Sequence, residues 1–80
     1  MSDRDETIRV ELEERIDRLP AVMARTGLSR AAVYRQIQTG SFPRPVHISR
    51  QSRGWIRSEI SFWIRERQRE RDEGEQRVTG

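Results

Sequence analysis

Residues 26–40, Thr-Gly-Leu-Ser-Arg-Ala-Ala-Val-Tyr-Arg-Gln-Ile-Gln-Thr-Gly, read as a tight turn followed by a short helix with one narrow apolar face. Gly27 suits the left-handed conformation that ends one helix, and Ser29 suits the cap that begins the next. Val33 and Ile37 lie one turn apart and form the inward face. Ala31, Arg35 and Gln38 point the opposite way, and Gly40 stops the helix. The predicted helix is Ser29–Thr39, a shape that suits the major groove of duplex DNA.

Working towards the N-terminus, Pro20 suits the first position of a helix, where its missing N–H costs nothing. A first helix is predicted over Pro20–Thr26, with Leu19, Val22 and Met23 as core residues and Leu28 filling the angle between the helices. Before it, Leu12, Ile16 and Leu19 fall at helical spacing, while Ile8, Val10 and Leu12 equally fit a short strand. The spacing favours a helix over roughly 10–18, and residues 1–8 are polar enough to be disordered.

Towards the C-terminus, the prolines of Ser41-Phe42-Pro43-Arg44-Pro45 enforce an extended path. Val46-His47-Ile48 and Gly54-Trp55-Ile56-Arg57 then alternate inward and outward around the polar tip Ser49-Arg50-Gln51-Ser52-Arg53, which predicts a β-hairpin. A hairpin beside a helix-turn-helix is a wing. Ser58 suits the N-cap of a last helix running to about residue 71 and fraying through 72–74. Ile60, Trp63 and Ile64 form its apolar stripe, and Trp55 and Trp63 are expected in the core. Phe62 lies about 200° around the helix from Ile60. It packs either under the N-terminal segment or against a second protomer.

The fold class is therefore mainly α with a small β-hairpin wing, a winged helix-turn-helix. Its expected organisation is an acidic, partly disordered extension over 1–15, a DNA-binding domain over 16–71 and a disordered tail over 72–80. An 80-residue chain with 32% hydrophobic residues builds only a small core. Cysteine is absent, which excludes disulfides, thiolate metal sites and a cysteine nucleophile. His47 alone cannot hold a structural metal, and it is expected on the outer strand face. No metal or other cofactor is expected.

Charge is unevenly spread. Residues 1–19 carry seven acidic and four basic side chains, whereas residues 20–64 carry seven arginines against Glu59 alone. Residues 65–80 carry five of each sign. Such a cationic middle attracts a polyanion and speeds encounter with it. All sixteen basic residues are arginine. GC-rich codon usage explains arginine at every basic position, the tail included, although guanidinium forks also suit phosphate oxygens and guanine edges.

Ser29, Arg30, Ala31, Tyr34, Arg35 and Gln38 are the candidate DNA-contacting residues of the helix. Arg30 and Arg35 suit guanine or phosphate, Ala31 a thymine methyl, and the Tyr34 hydroxyl a phosphate. Arg50 and Arg53 flank the wing tip, and Arg44 on the proline connector suits a phosphate. The plain alternatives are a solvated helix face and a solubilising loop. The hairpin following the helix, together with the charge focus, weighs against them. No glycine-rich phosphate loop, activated nucleophile or carboxylate pair supports catalysis, and Glu59 is expected at a helix start on dipole grounds.

The stretch RLPAVMARTGLSRAAVYRQIQTGSFPRPVHIS followed by GWIRSEISFWI, spanning residues 18–64, resembles the AlpA family of small phage- and prophage-associated DNA-binding regulators. That family is related to excisionases and to MerR-type winged helix-turn-helix domains. The resemblance implies a transcriptional regulator of mobile-element genes that takes double-stranded DNA as its partner. The segment before Arg18 lies outside it. Met23 stands where many helix-turn-helix units carry alanine, which implies wider interhelix packing, and Phe62 stands where a small or polar residue is usual. Two other functions fit the same residues: an excisionase-type protein that bends DNA, and an antirepressor module whose acidic N-terminus mimics DNA charge. One short reading helix covers few base pairs, so specificity calls for a homodimer or cooperative assembly on DNA. No apolar run is long enough to span a membrane and the acidic N-terminus does not read as a signal peptide, so a cytoplasmic, nucleoid-associated bacterial protein is expected.

Overall fold

Gly27 and Gly40, both with positive φ (76° and 80°), bracket the segment that orders the rest of the fold. The computed structural model describes residues 14–79, with side chains through Gly74. Helix α1 runs Leu19–Thr26 and starts at Arg18, whose backbone is extended and whose side chain makes no capping bond. It begins one residue earlier than predicted. Pro20 still lies in the first turn, where N–H groups have no intrahelical acceptor. The Gly27 N–H donates to the Met23 carbonyl at 2.8 Å. Thr26 closes the turn from both sides: its hydroxyl donates to the Val22 carbonyl at 2.8 Å and accepts the Leu28 N–H at 3.2 Å.

Helix α2 runs Arg30–Gln38, and the Ser29 hydroxyl accepts the Ala32 N–H at 3.1 Å as the predicted N-cap. At its far end the Gly40 and Ser41 N–H groups return to the Ile37 and Gln36 carbonyls at 3.1 and 2.9 Å. A left-handed glycine at this point turns the chain out of the helix while satisfying its last carbonyls.

The chain then passes through the proline connector into strand β2, with β1 (Ile16–Asp17), β2 (Val46–His47) and β3 (Arg53–Ile56) making a three-stranded antiparallel sheet in the order β1-β3-β2. The hairpin pairs Val46 with Gly54 and His47 with Arg53. The first strand is shorter and more exposed than predicted, with Ile48 46% exposed beyond its end. Only β3 reaches the core from this hairpin, through Trp55, so β2 has no buried face to fill.

The N-terminal segment departs from expectation. Over residues 14–18 it forms no helix: Ile16 pairs with Ile56, Asp17 pairs with Trp55, and the Arg57 N–H donates to the Arg15 carbonyl at 2.7 Å. The physical reason is Gly54. A Cβ there would fall 2.3 Å from Ile16 Cγ2 and 3.0 Å from the Asp17 carbonyl oxygen. The bare glycine lets β1 lie close across β3, covering what would otherwise be an open edge. Ile8, Val10 and Leu12 lie outside the described residues.

Helix α3 runs Arg57–Thr79, without a break after β3. Ser58 therefore sits inside its first turn and caps nothing. The helix continues past residue 71 through the segment expected to fray. Exposed pairs join Arg67 to Glu70, and Arg69 to Glu66 and Glu73, at helical spacing. Each contributes roughly 0.2–0.5 kcal/mol before screening by salt.

The core is Val22, Val33, Phe42, Trp55 and Ile60, with Leu19, Met23, Leu28, Ile37, Trp63 and Ile64 packed around it. Phe42 is the addition to the expected set. It meets Trp63 edge-on at 5.1 Å. Both indoles strap the connector to the core, Trp55 Nε1 donating to the Pro43 carbonyl at 2.9 Å and Trp63 Nε1 to the Ser41 carbonyl at 2.8 Å. Phe62 stands outside this core, 57% exposed.

Candidate nucleic-acid interface

The buried ring of Trp55 on β3 meets Tyr34 of α2 edge-on, with centroids 6.4 Å apart at 64°. Arg30, one helical turn before Tyr34, lays its guanidinium over the tyrosine ring at 5.8 Å from the centroid. The order sheet, indole, phenol, guanidinium carries the rigidity of the core out to a charged group. Aromatic contacts of this kind orient their partners as well as attract them.

Arg30 and Tyr34 form one wall of a cleft of about 460 Å³ between α2 and the hairpin tip. Arg50, Gln51 and Arg53 line it from the hairpin, and Arg18, Leu19 and Trp55 complete the lining. No acidic residue lines this cleft. Four of the predicted site residues are therefore brought together: Arg30, Tyr34, Arg50 and Arg53.

Ala31, Arg35 and Gln38 do not line the cleft. They are exposed on the outer face of α2, at i, i+4 and i+7 along one stripe. Ser29 lies at the head of the same helix. Its hydroxyl oxygen is occupied as a cap acceptor.

Arg44 stands apart. It lines a second groove, between the connector and α3, together with Phe62, Glu59 and Glu66. That groove mixes both signs of charge with apolar surface.

Two residues of the cleft escaped the sequence reading. Gln51 is, by sequence, one more polar residue of the hairpin tip. Arg18 belongs by sequence to the acidic N-terminal end, yet the pairing of Asp17 with Trp55 brings its neighbour to the cleft. The available signal was Gly54, a bare position in a strand that marks close approach by another backbone. Conversely, one arginine of the cationic middle is spent on the fold. Arg25 bonds Asp17 Oδ2 at 2.8 Å and Ser61 Oγ at 2.7 Å, tying β1, α1 and α3 together.

His47 is exposed on β2. Among the described residues no three His, Cys, Asp or Glu side chains are grouped as metal ligands, and no helix is long and apolar enough to cross a membrane.

The model of the family described as prophage CP4-57 regulatory protein (AlpA) matches residues 15–68. The chain belongs to the AlpA family. The match begins before Arg18 and so takes in β1, which the sequence resemblance had left outside. It also runs past Ile64 into the exposed part of α3. An AlpA-family relative in Escherichia coli K12, named DNA-binding transcriptional activator AlpA, is 39% identical over 59 residues, covering 66% of this chain and 84% of that protein. Enterobacteria phage P4 carries a protein described as uncharacterized protein ORF88, 38% identical over 52 residues. The chain spans 65% of its own length in that match and 59% of the phage protein.

Proposed function

We propose that this AlpA-family chain is a sequence-specific regulator of transcription that binds double-stranded DNA as a winged helix-turn-helix. In this reading α2 enters the major groove, and the β2–β3 hairpin is the wing, set against the backbone or the adjacent minor groove. It acts in the bacterial cytoplasm, on the nucleoid. The observation that carries the reading is the split of cationic groups around α2. Arg30 and Tyr34 meet Arg50 and Arg53 across a cleft without carboxylates, while Ala31, Arg35 and Gln38 stand free on the outer stripe. The name of the Escherichia coli relative supports the same class of function.

The test is selection of bound sequences from random duplex DNA, followed by titration of the enriched duplex. If about five arginines neutralise phosphates, log K falls with log salt at a slope of roughly −4 to −5. Replacing Arg30 and Arg35 together by alanine should abolish sequence-specific binding. Unchanged affinity in that double variant would overturn the assignment of α2. A circular-permutation bend assay on the enriched duplex separates promoter regulation from excisionase-type bending.

A further inference from the structure

Four arginines line one small space. Arg18, Arg30, Arg50 and Arg53 line the cleft between α2 and the hairpin tip, and among the described residues none is paired with a carboxylate. The chain does pair its arginines elsewhere: Arg25 with Asp17, Arg67 with Glu70, Arg69 with Glu66 and Glu73, Arg71 with Asp72. Like charges gathered without counter-charge repel one another, and an anion seated among them relieves that repulsion.

The positions of these groups follow from the fold. Arg18 follows Asp17, which is fixed opposite Trp55 by the β1–β3 ladder and by its bond to Arg25. Its backbone is fixed as well, since the Arg18 carbonyl accepts the Val22 N–H at 3.0 Å. Arg30 is held over Tyr34, on the cleft side of α2 and away from the Ala31, Arg35 and Gln38 stripe. Arg50 and Gln51 sit in the turn closed between Ser49 and Ser52, and Arg53 opens β3.

Building on the DNA-binding reading, we infer that this cleft seats the sugar–phosphate backbone of the duplex at one point, one or two phosphates long. Arg18 and Arg30 hold it from the helical side, and Arg50 and Arg53 from the hairpin. The Tyr34 hydroxyl and the Gln51 amide add neutral donors. Two assignments follow. Arg30 is a backbone residue that sets the register of the protein on DNA. Arg18, outside both the reading helix and the wing, is a DNA contact. Reading of base edges falls to Arg35, with Ala31 and Gln38 beside it on the stripe.

The experiment uses the full chain and the duplex it enriches from a random pool, with a scrambled duplex of equal length. Affinity is measured against salt for the wild type, Arg18→Ala, Arg18→Lys, Arg30→Ala, Gln51→Ala and Arg35→Ala. It is then measured again on duplexes carrying a neutral methylphosphonate at one position at a time. Arg18→Ala and Arg30→Ala should weaken binding to both duplexes by the same factor and make the salt slope shallower by about 1. Arg18→Lys keeps the slope. Arg35→Ala should lose affinity for the enriched duplex alone.

One phosphate position, or two adjacent ones, should cost the wild type affinity when neutralised but cost Arg18→Ala and Arg30→Ala nothing further. Gln51→Ala, at an exposed tip with no part in the core, should weaken sensitivity at the same position, so the test does not depend on one variant folding. The inference is overturned if Arg18→Ala binds with the wild-type slope, if no phosphate position couples to both Arg18 and Arg30, or if Arg30→Ala loses discrimination as Arg35→Ala does. In each of these outcomes the wild type still selects a duplex, and the DNA-binding reading stands. Failure of the wild type to enrich any duplex or to bind DNA in a salt-dependent way removes both.

Discussion

Gly54→Ala tests the close approach of β1 to β3. The added methyl would fall 2.3 Å from Ile16 Cγ2, 3.0 Å from the Asp17 carbonyl oxygen and 3.1 Å from Ile48 Cδ1. Comfortable contact between carbon atoms begins near 3.5 Å. Ile16 is 43% exposed and has room to turn aside, and Ile48 is also half free. The Asp17 carbonyl belongs to the backbone, so β1 itself must retreat. Gly54 does not have a positive φ, so alanine carries no conformational penalty there and lowers the entropy of the unfolded chain slightly. Overpacking of this kind costs about 1–3 kcal/mol. Offset by the entropy gain, the net loss is about 1–2 kcal/mol. For a domain of this size that lowers Tm by roughly 4–16 °C. The assay is a thermal melt followed by far-ultraviolet circular dichroism and by tryptophan fluorescence, since Trp55 pairs with Asp17 across the same ladder. Adding Ile16→Ala should restore part of the loss by removing the nearest clash. A Gly54→Ala protein as stable as the wild type would refute the packing of β1 over this glycine.

The remaining predictions concern separate parts of the molecule. Gly74→Ala should move stability the other way, by about 0.5–1 kcal/mol, because Gly74 lies within α3 with nothing near a built Cβ; a lower Tm would deny that this turn is helical. Ser29→Ala should cost about 1 kcal/mol through the lost bond to the Ala32 N–H, measured by urea denaturation, and no change would mean that water replaces the cap. Phe62→Ser should leave Tm nearly unchanged, within about 0.5 kcal/mol of stability, because the ring is mostly exposed. The same variant should reduce cooperativity on adjacent DNA sites if a second protomer covers the ring. A marked fall in Tm would instead set Phe62 beneath the N-terminal segment.

How much of this fold was legible depended on the range of the interaction that decides each element. The turn at Gly27, the cap at Ser29 and the stop at Gly40 are set by groups within four residues, and each occurs where the sequence predicts it. The prolines mark the connector as extended, but nothing local marks Phe42 as core. An aromatic between a serine and a proline looks like loop, and only the two distant indoles that bond Ser41 and Pro43 hold it inside. Strand β1 failed for the same reason. Its helical spacing at Leu12, Ile16 and Leu19 is a local signal, whereas its partner β3 lies about forty residues away. When local periodicity and a long-range ladder compete over so short a segment, the ladder wins by satisfying backbone groups at the exposed edge of β3.

The site was harder to read than the fold, because charge counted along a chain is not charge gathered in space. The cationic middle of the sequence overstates what a polyanion meets, since Arg25 is bonded to Asp17 and Ser61, and Arg44 faces a groove that also holds Glu59 and Glu66. It also understates it, since Arg18 belongs by sequence to the acidic end and by structure to the cleft. The placements of Arg25 and Arg18 have one source, the β1–β3 ladder. That ladder holds Asp17, so it positions the carboxylate that occupies Arg25, and it delivers Arg18 beside the hairpin tip. Strand β1 therefore bears on the charge of the cleft as much as on stability. If it is displaced, as in Gly54→Ala, Arg18 loses one of the two anchors that hold it at the cleft, even though no residue of α2 or of the hairpin tip has changed. Such a variant should bind DNA with a shallower salt slope than the wild type at a temperature where both are folded. A slope equal to that of the wild type would mean that Arg18 reaches the cleft without its strand.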